Sequence, residues 1–430
     1  MLDPTRRRAR RSASRLSALA AVLMVTLTLA ACGGDDDEGA RIEWKVGTPP
    51  GMAAVEPTPQ SPRQPDATAP APDQTAPAEE APPLSDVASD PPSGPLTPEQ
   101  RVELQPNELG WIPILEYHNF TTNPDNEEQF TRSYDNFRAD LEWLYEHNFY
   151  VVPLRDIFLN QIAAPAGKHP VALTFDDSTA DQFRYLINDD GSVEIDPNSA
   201  VAVLEAFFAE HPDFGRGGFF GVLPKACFNR TATTAESDQT PYCEQKLQWL
   251  LDNGYEVGNH TLNHASIQDV DDETFTSEIG GAIDALQEFV PEITADIFVV
   301  PYGMYPLADE RENQREWMRN GFEYNGRTVQ LLGSLQVGSN PAVSPVSTEW
   351  DPMWTPRIQA FNQDVLDDWG GLDTWFPAFE NEPYMLYVSD GNPDTITIPT
   401  DPPSGLGEFD PNKADGKEVI EYDPETGEAL

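Results

Sequence analysis

The sequence predicts an α/β fold in which parallel β-strands alternate with α-helices. Short apolar runs rich in β-branched and aromatic residues, such as Val171–Phe175, indicate buried strands. Longer segments with apolar residues at helical spacing predict helices at Ala200–Glu210 and Asp272–Phe289. Because active sites collect at the carboxyl ends of parallel strands, we expect functional residues where the strands end, as at Asp176 and Asp177. This alternation leaves open whether the sheet is open or closed into a barrel.

Composition separates a folded region from its flanks. Of the 41 prolines in the 430-residue chain, 15 lie between residues 41 and 100. Such a segment cannot bury enough apolar surface to offset its chain entropy, so we expect residues 32–105 to form a disordered linker. Residues 391–430 are similarly rich in proline, glycine and acidic residues, which predicts a disordered acidic tail. Residues 106–390 remain for one barrel-sized catalytic domain.

The N-terminus predicts export. Residues 1–31 contain six arginines followed by an apolar run that ends in small residues. This is the pattern of a secretory signal peptide. Leu29-Ala-Ala-Cys32 resembles a bacterial lipobox, so we expect lipidation of Cys32. The protein would then be anchored to the outer face of the cell membrane, or to an outer membrane, facing the cell wall. Cleavage elsewhere with an incidental Cys32, or an uncleaved anchor, are the alternatives.

The remaining cysteines and the net charge fit an exported protein. Cys227 and Cys243 form an even pair, which favours a disulfide in an oxidising compartment, with two free thiols as the alternative. The formal net charge is −47, which argues against nucleic acid or anionic lipid headgroups as partners. An acidic surface could favour cationic glycans, or it could serve solubility alone. The oligomeric state is left open.

Two segments carry residues suited to a metal site. The adjacent carboxylates of Asp176 and Asp177 repel each other, and a bound cation is the usual way to keep both ionised. His260 and His264 lie four residues apart, directly after a predicted strand, and can reach one ion. One Asp and two neutral imidazoles form a three-ligand set with open positions, which is typical of hydrolytic metal sites. The alternative is that these are polar residues at loop ends.

The order of these motifs resembles the polysaccharide deacetylases of carbohydrate esterase family 4, the NodB homology domain. The matching segments are Thr174-Phe-Asp-Asp177, His260-Thr-Leu-Asn-His264 and Pro301-Tyr-Gly303. This resemblance implies a distorted (β/α)7-type barrel. It also implies a metal-dependent hydrolase.

The same resemblance implies a role for each residue. Asp177, His260 and His264 would bind a divalent metal, with zinc as the first expectation and cobalt, nickel or iron as alternatives. Asp176 would be the general base, although exchanged roles for the two carboxylates stay open. The backbone N–H of Tyr302 would help to stabilise the oxyanion, or its ring would line the cleft.

Two departures from the common family pattern point to a permuted branch. Val299 stands where the family has an arginine, and the C-terminal part of the chain has no histidine. Ile114-Leu-Glu-Tyr-His118 instead resembles the first strand of a branch similar to poly-N-acetylglucosamine deacetylases. In that branch the acid-donating histidine comes from this strand, so we expect His118 to protonate the leaving amine. A core histidine bonded to backbone is the alternative. Arg357 is a candidate to stabilise Asp176 in place of the missing arginine.

The resemblance implies removal of N-acetyl groups from a β-linked N-acetylglucosamine polysaccharide, either an exopolysaccharide or peptidoglycan, at the cell surface. An O-acetyl esterase acting on xylan-like glycans is one alternative. A catalytically impaired glycan-binding lipoprotein is another, and the two departures favour it. The intact metal-ligand set argues against an impaired protein. The chain length of the substrate is left open.

Overall fold

The computed structural model describes residues 95–230, 238–338, 340–361 and 370–430. The predicted signal peptide, Cys32 and most of the predicted linker lie outside these residues, so export and lipidation stay predictions. Within the described ranges, the helices all fall short of the length and hydropathy that a bilayer-spanning helix needs.

The described chain alternates strands and helices as the sequence predicts. The helices are α1 (Pro98–Leu104), α2 (Tyr134–Glu146), α3 (Leu154–Phe158), α4 (Ala200–Glu210), α5 (Cys243–Asp252), α6 (Asp272–Phe289), α7 (Glu312–Asn320) and α8 (Leu372–Asn381). The strands are β1 (Ile114–Tyr117), β2 (Asn119–Thr121), β3 (Thr131–Ser133), β4 (Phe149–Val151), β5 (His169–Phe175), β6 (Tyr185–Ile187), β7 (Val193–Ile195), β8 (Phe219–Val222), β9 (Glu256–Asn259), β10 (Ile297–Val299), β11 (Phe322–Tyr324), β12 (Arg327–Val329), β13 (Gly333–Leu335), β14 (Ile358–Gln359), β15 (Thr395–Pro399) and β16 (Glu418–Tyr422). The two helices whose residue ranges were predicted, α4 and α6, have the expected bounds.

A curled parallel sheet forms the centre of the fold. Seven strands follow the order β13-β10-β9-β8-β5-β1-β14, and β4 pairs with the first residues of β5. Thr355, just before β14, accepts a bond from Gln336 N–H at 2.9 Å and donates to Ser334 O at 3.1 Å, so the two ends of the sheet approach each other. The predicted α/β fold of the barrel type is confirmed.

Side chains along each strand alternate between two apolar cores, as the period of a β-strand requires. On β5, Val171, Leu173 and Phe175 pack in the cluster that contains the helices, whereas Ala172 packs in the cluster inside the curled sheet. At the carboxyl end of β5 the inward series continues with Thr174, which bonds a buried arginine instead of apolar groups. The polar site therefore lies where the inner apolar core ends.

The predicted disordered tail is wrong, because residues 391–430 form an ordered part of the fold. β15 and β16 pair in parallel. Their apolar side chains bury a separate core against residues from the main domain; it contains Leu109, Val346, Met385, Ile396, Ile398 and Leu406. The composition misled because the prolines and acidic residues lie in turns and at the surface, while the few apolar residues share one face.

The predicted end of the linker at residue 105 is also wrong. Helix α1 begins at Pro98 with a capping box formed by Thr97 and Gln100. Arg101 on this helix is only 7% exposed and donates to the carbonyl of Gly427 near the C-terminus. The helix thus belongs to the folded domain and joins its two ends.

A disulfide joins Cys227 and Cys243, as predicted. It connects the loop after β8 to the first residue of α5, with 5.6 Å between the Cα atoms. This bridge constrains the loop that carries Arg230.

The ordered tail can be tested with two matched substitutions. Ile396→Ala should lower the free energy of unfolding by about 2–5 kcal/mol, because it empties space in a core where Ile396 is 1% exposed. Val419→Ala, at the paired position on β16 and 37% exposed, should change it by less than about 0.5 kcal/mol. Denaturant unfolding measures both, and equal, negligible effects would contradict an ordered tail.

Candidate active site

The six residues predicted for the site meet at the carboxyl ends of neighbouring strands. His118 follows β1, Asp176 and Asp177 follow β5, and the two histidines follow β9. Tyr302 follows β10. Asp177, His264 and Tyr302 have left-handed backbones, with φ of 80°, 57° and 60°. Such strained turns at non-glycine residues are common at functional sites and here turn the three side chains toward one cleft.

Asp177, His260 and His264 form a cluster that fits a divalent metal. Oδ1 of Asp177 lies 3.3 Å from Nε2 of His260 and 3.1 Å from Nε2 of His264. One ligand atom from each residue lies within 4.8 Å of the others. Nδ1 of His260 lies 2.9 Å from the carbonyl of Val299, which can only accept, so in the neutral ring Nε2 keeps a free lone pair. Carboxylate and imidazole donors suit zinc and related ions.

The hydroxyl of Tyr302 takes part in this cluster, a contact that the sequence did not predict. It lies 2.8 Å from Nδ1 of His264, and the two rings pack edge to face at 4.5 Å. Tyr302 therefore orients His264 through its side chain, as partners of metal-binding histidines usually do.

The protonation states favour cation binding. Burial raises the pKa of Asp177, but the neighbouring His260 and His264 rings outweigh it and hold this pKa well below its usual range. Burial lowers the pKa of His264. An ionised carboxylate beside a neutral imidazole is what a metal ion requires, because ligands must be deprotonated.

Arg230 is a site residue that the sequence analysis missed. Its guanidinium bonds Oδ1 of Asp177, and its Nη2 lies 3.4 Å from Nδ1 of His264. Nothing near Arg230 in the sequence forms a motif, and only the disulfide-bridged loop brings it to the cluster. A positive charge of the chain itself thus pairs with the carboxylate that would bind the metal.

Asp176 is held by a buried two-pronged ion pair with Arg357, as the sequence analysis suggested. Nη1 and Nη2 of Arg357 lie 2.8 and 2.7 Å from the two carboxylate oxygens. Arg357 also donates to Oγ1 of Thr174 at 3.0 Å and to the carbonyl of Gln336 at 2.7 Å. Burial raises the pKa of Asp176, but Arg357 lowers this pKa by more than burial raises it, so the carboxylate stays ionised.

His118 lies beside Asp176 and beside Glu116, which the sequence analysis passed over. Nε2 of His118 is 3.7 Å from Oδ2 of Asp176 and 3.5 Å from Oε1 of Glu116. Burial lowers the pKa of His118, so the ring is neutral at rest. The three groups are close enough for a second metal. However, Arg357 occupies both oxygens of Asp176 and lies 3.4 Å from Glu116, so a further cation there would meet a fixed positive charge.

An open cavity of about 360 Å³ adjoins the Asp–His–His cluster. Its lining consists of Leu223, Lys225, Ala226, Arg230, Leu262, Asn263, His264 and Tyr302. A substrate group in this cavity would contact His264 of the cluster, and it would also contact Arg230 and Tyr302 beside it.

A sequence comparison matches the cluster to a family. The family model described as polysaccharide deacetylase matches residues 222–315, a segment that contains His260, His264 and Tyr302. Residues 222–315 thus match polysaccharide deacetylases, which supports a deacetylase-type hydrolase. Among curated proteins, no sequence matches the chain.

Several solved deacetylase structures resemble this chain. PplD, a deacetylase of Streptococcus pyogenes in complex with acetate, has 17% identity and a TM-score of 0.42, covering 60% of this chain and 96% of its own. IcaB from Ammonifex degensii has 15% identity and a TM-score of 0.40, with coverage of 60% and 94%. A de-N-acetylase from Aggregatibacter actinomycetemcomitans has 13% identity and a TM-score of 0.38, with coverage of 57% and 93%.

Arg230 should weaken metal binding by the Asp–His–His cluster. Arg230→Ala removes a positive charge that bonds Asp177, so the dissociation constant for zinc should fall about tenfold, equivalent to about 1.4 kcal/mol. Lys225→Ala, which lines the same cavity but bonds Asn263, should leave it nearly unchanged. His264→Ala should lose stoichiometric zinc. Competition with a chromophoric chelator measures all three, and weaker binding by Arg230→Ala would contradict the charge argument.

Proposed function

We propose that this deacetylase removes N-acetyl groups from a β-linked N-acetylglucosamine polysaccharide in a metal-dependent reaction at the cell surface. The supporting observation is that an Asp–His–His cluster, an arginine-paired aspartate and a neutral histidine lie together at the carboxyl ends of neighbouring strands, and the two cluster histidines belong to the segment that matches polysaccharide deacetylases. Exopolysaccharide and peptidoglycan both contain such sugars. Anchoring through lipidated Cys32 is part of the proposal, supported by the sequence of residues 1–32.

Asp177, His260 and His264 would hold the metal, with zinc the first candidate because two of the three ligands are imidazoles. When bound, such an ion acidifies water and polarises a carbonyl group. The protein fixes the orientation of the two histidines. The carbonyl oxygen of Val299 contacts His260, and the hydroxyl group of Tyr302 contacts His264.

The remaining residues move protons and hold the substrate. Asp176, kept ionised by Arg357, takes a proton from the attacking water as general base. His118, whose Nε2 lies 3.7 Å from Asp176, gives a proton to the departing amine. The backbone N–H of Tyr302, presented by a left-handed turn, would donate to the oxyanion.

The two departures from the family pattern no longer favour an impaired protein. Arg357 supplies the cation on Asp176 that Val299 cannot, and His118 supplies an imidazole beside the same carboxylate. An O-acetyl esterase acting on xylan-like glycans remains a second candidate, since the same groups can hydrolyse an ester.

Acetate release over a panel of glycans tests the function. The zinc-loaded protein should release acetate from N-acetylglucosamine oligomers, and a chelator should abolish this release. Asp176→Asn should lower turnover by about 10²–10⁴-fold because the amide cannot accept a proton. Release from acetylxylan alone would identify the esterase instead. Glycan binding without acetate release from any substrate would identify the impaired protein.

His118→Ala should lower turnover by about 10²–10⁴-fold through loss of the proton donor, with zinc content unchanged. His169→Ala is the matched control, because His169 is also half-buried but bonds the carbonyl of Tyr387 at the opposite end of β5. Kinetics and elemental analysis measure the pair. Unchanged turnover in His118→Ala would remove His118 from the mechanism.

A further inference from the structure

Glu116 is a buried carboxyl group at the centre of the site that receives no well-formed hydrogen bond from the described residues. It lies on β1, two residues before His118, so both side chains face the inside of the sheet. Its side chain has no exposed surface. Among the described residues, neither of its oxygens has a partner by distance and angle. A buried, unbonded carboxylate is costly, so an ionised Glu116 would need compensation.

The nearby charges do not compensate Glu116. Arg357 lies 3.4 Å away but directs its fork at Asp176. Burial raises the pKa of Glu116 to about 8. Arg357 and the Gly338 N–H lower this pKa, whereas Asp176 and Asp177 raise it. One buried cation therefore serves two buried carboxyl groups, and Glu116 keeps its proton at neutral pH.

Nε2 of His118 is the acceptor available to that proton. It lies 3.5 Å from Oε1 of Glu116, and burial keeps the ring neutral, so one ring nitrogen carries a lone pair. If Nε2 carried the ring proton toward Asp176, the Glu116 hydroxyl would stay unbonded. If Nε2 accepts from Glu116, both groups are satisfied and the ring proton resides on Nδ1. No described residue hydrogen-bonds Nδ1, and the His118 side chain is 13% exposed.

We propose that Glu116 is a positioning residue that donates its carboxyl hydrogen to Nε2 of His118 and thereby presents a protonated Nδ1 to the leaving amine. This inference rests on the proposed function, in which His118 is the proton donor.

The proton transfers balance. The Nδ1–H bond breaks as the amine N–H bond forms and the carbon–nitrogen bond of the substrate breaks. The O–H bond of Glu116 breaks as Nε2–H forms, so the ring never becomes an anion. The ring then takes a proton from solvent at Nδ1 and returns its Nε2 proton to Glu116, and Asp176 releases the proton that it took from water.

The substitution Glu116→Gln separates two roles of Glu116, the hydrogen bond to Nε2 and the transfer of a proton. In Glu116→Gln the amide can still donate to Nε2 but cannot pass on a proton, so the Nδ1–H form of His118 should persist while kcat falls about 100-fold and KM is unchanged. In Glu116→Leu both the hydrogen bond to Nε2 and the supply of a proton should be lost, so the Nδ1–H form should no longer persist and kcat should fall. Wild-type kcat should decline above about pH 8 as Glu116 ionises, and Glu116→Gln should lack this decline.

The experiment combines kinetics with nitrogen-15 NMR of the histidine rings in the zinc-loaded protein, with His118 signals assigned by their absence in His118→Gln. A wild-type ring protonated on Nε2, or wild-type kcat in Glu116→Gln, would overturn the inference. Thermal unfolding and zinc content check that the variants fold. Even if a variant does not fold, the wild-type spectrum shows which ring nitrogen of His118 carries the proton. Failure of the wild type to release acetate would reject the proposed function, whereas the spectrum would still report on Glu116.

Discussion

The buried ion pair between Arg357 and Asp176 is the interaction on which the site depends. Removing one partner of such a pair typically costs about 3–5 kcal/mol, because the other charge stays buried without compensation. The pair keeps Asp176 ionised, so this carboxylate can accept a proton, while its neighbour Asp177 faces His260 and His264. It also uses up the one buried cation beside Glu116. The protonation states of Asp176 and Glu116 thus follow from how a single guanidinium is directed.

The strand order makes this pair possible. β1 lies between β5 and β14, so Glu116 pairs with Thr174 on one side and with Gln359 on the other. A strand from the start of the domain therefore lies between the strand that precedes the paired aspartates and a segment from near the end of the domain. The histidine that follows β1 thereby reaches Asp176, although the C-terminal part of the chain has no histidine.

Much of this arrangement could be predicted from the sequence, because strong local signals coincide with it. The helices at Ala200–Glu210 and Asp272–Phe289 have clear apolar periodicity, and the paired aspartates and spaced histidines end predicted strands. Arg230 and Glu116 could not be found this way. Arg230 reaches the site through a disulfide-bridged loop, and Glu116 resembles an ordinary strand residue until its burial is known. The tail was mispredicted because average composition hides a few apolar residues on one face.

Helix α1 packs against the main domain on the side away from the cleft. Leu104 at its end lies against Gly167, just before β5 begins, and Arg101 bonds Gly427. This is the amino end of the strands, whereas the cleft opens at their carboxyl ends. Helix α1 therefore holds the first and last described segments of the domain together on the side remote from the cleft, so a truncation through α1 would loosen the C-terminal segment without removing a residue of the cleft.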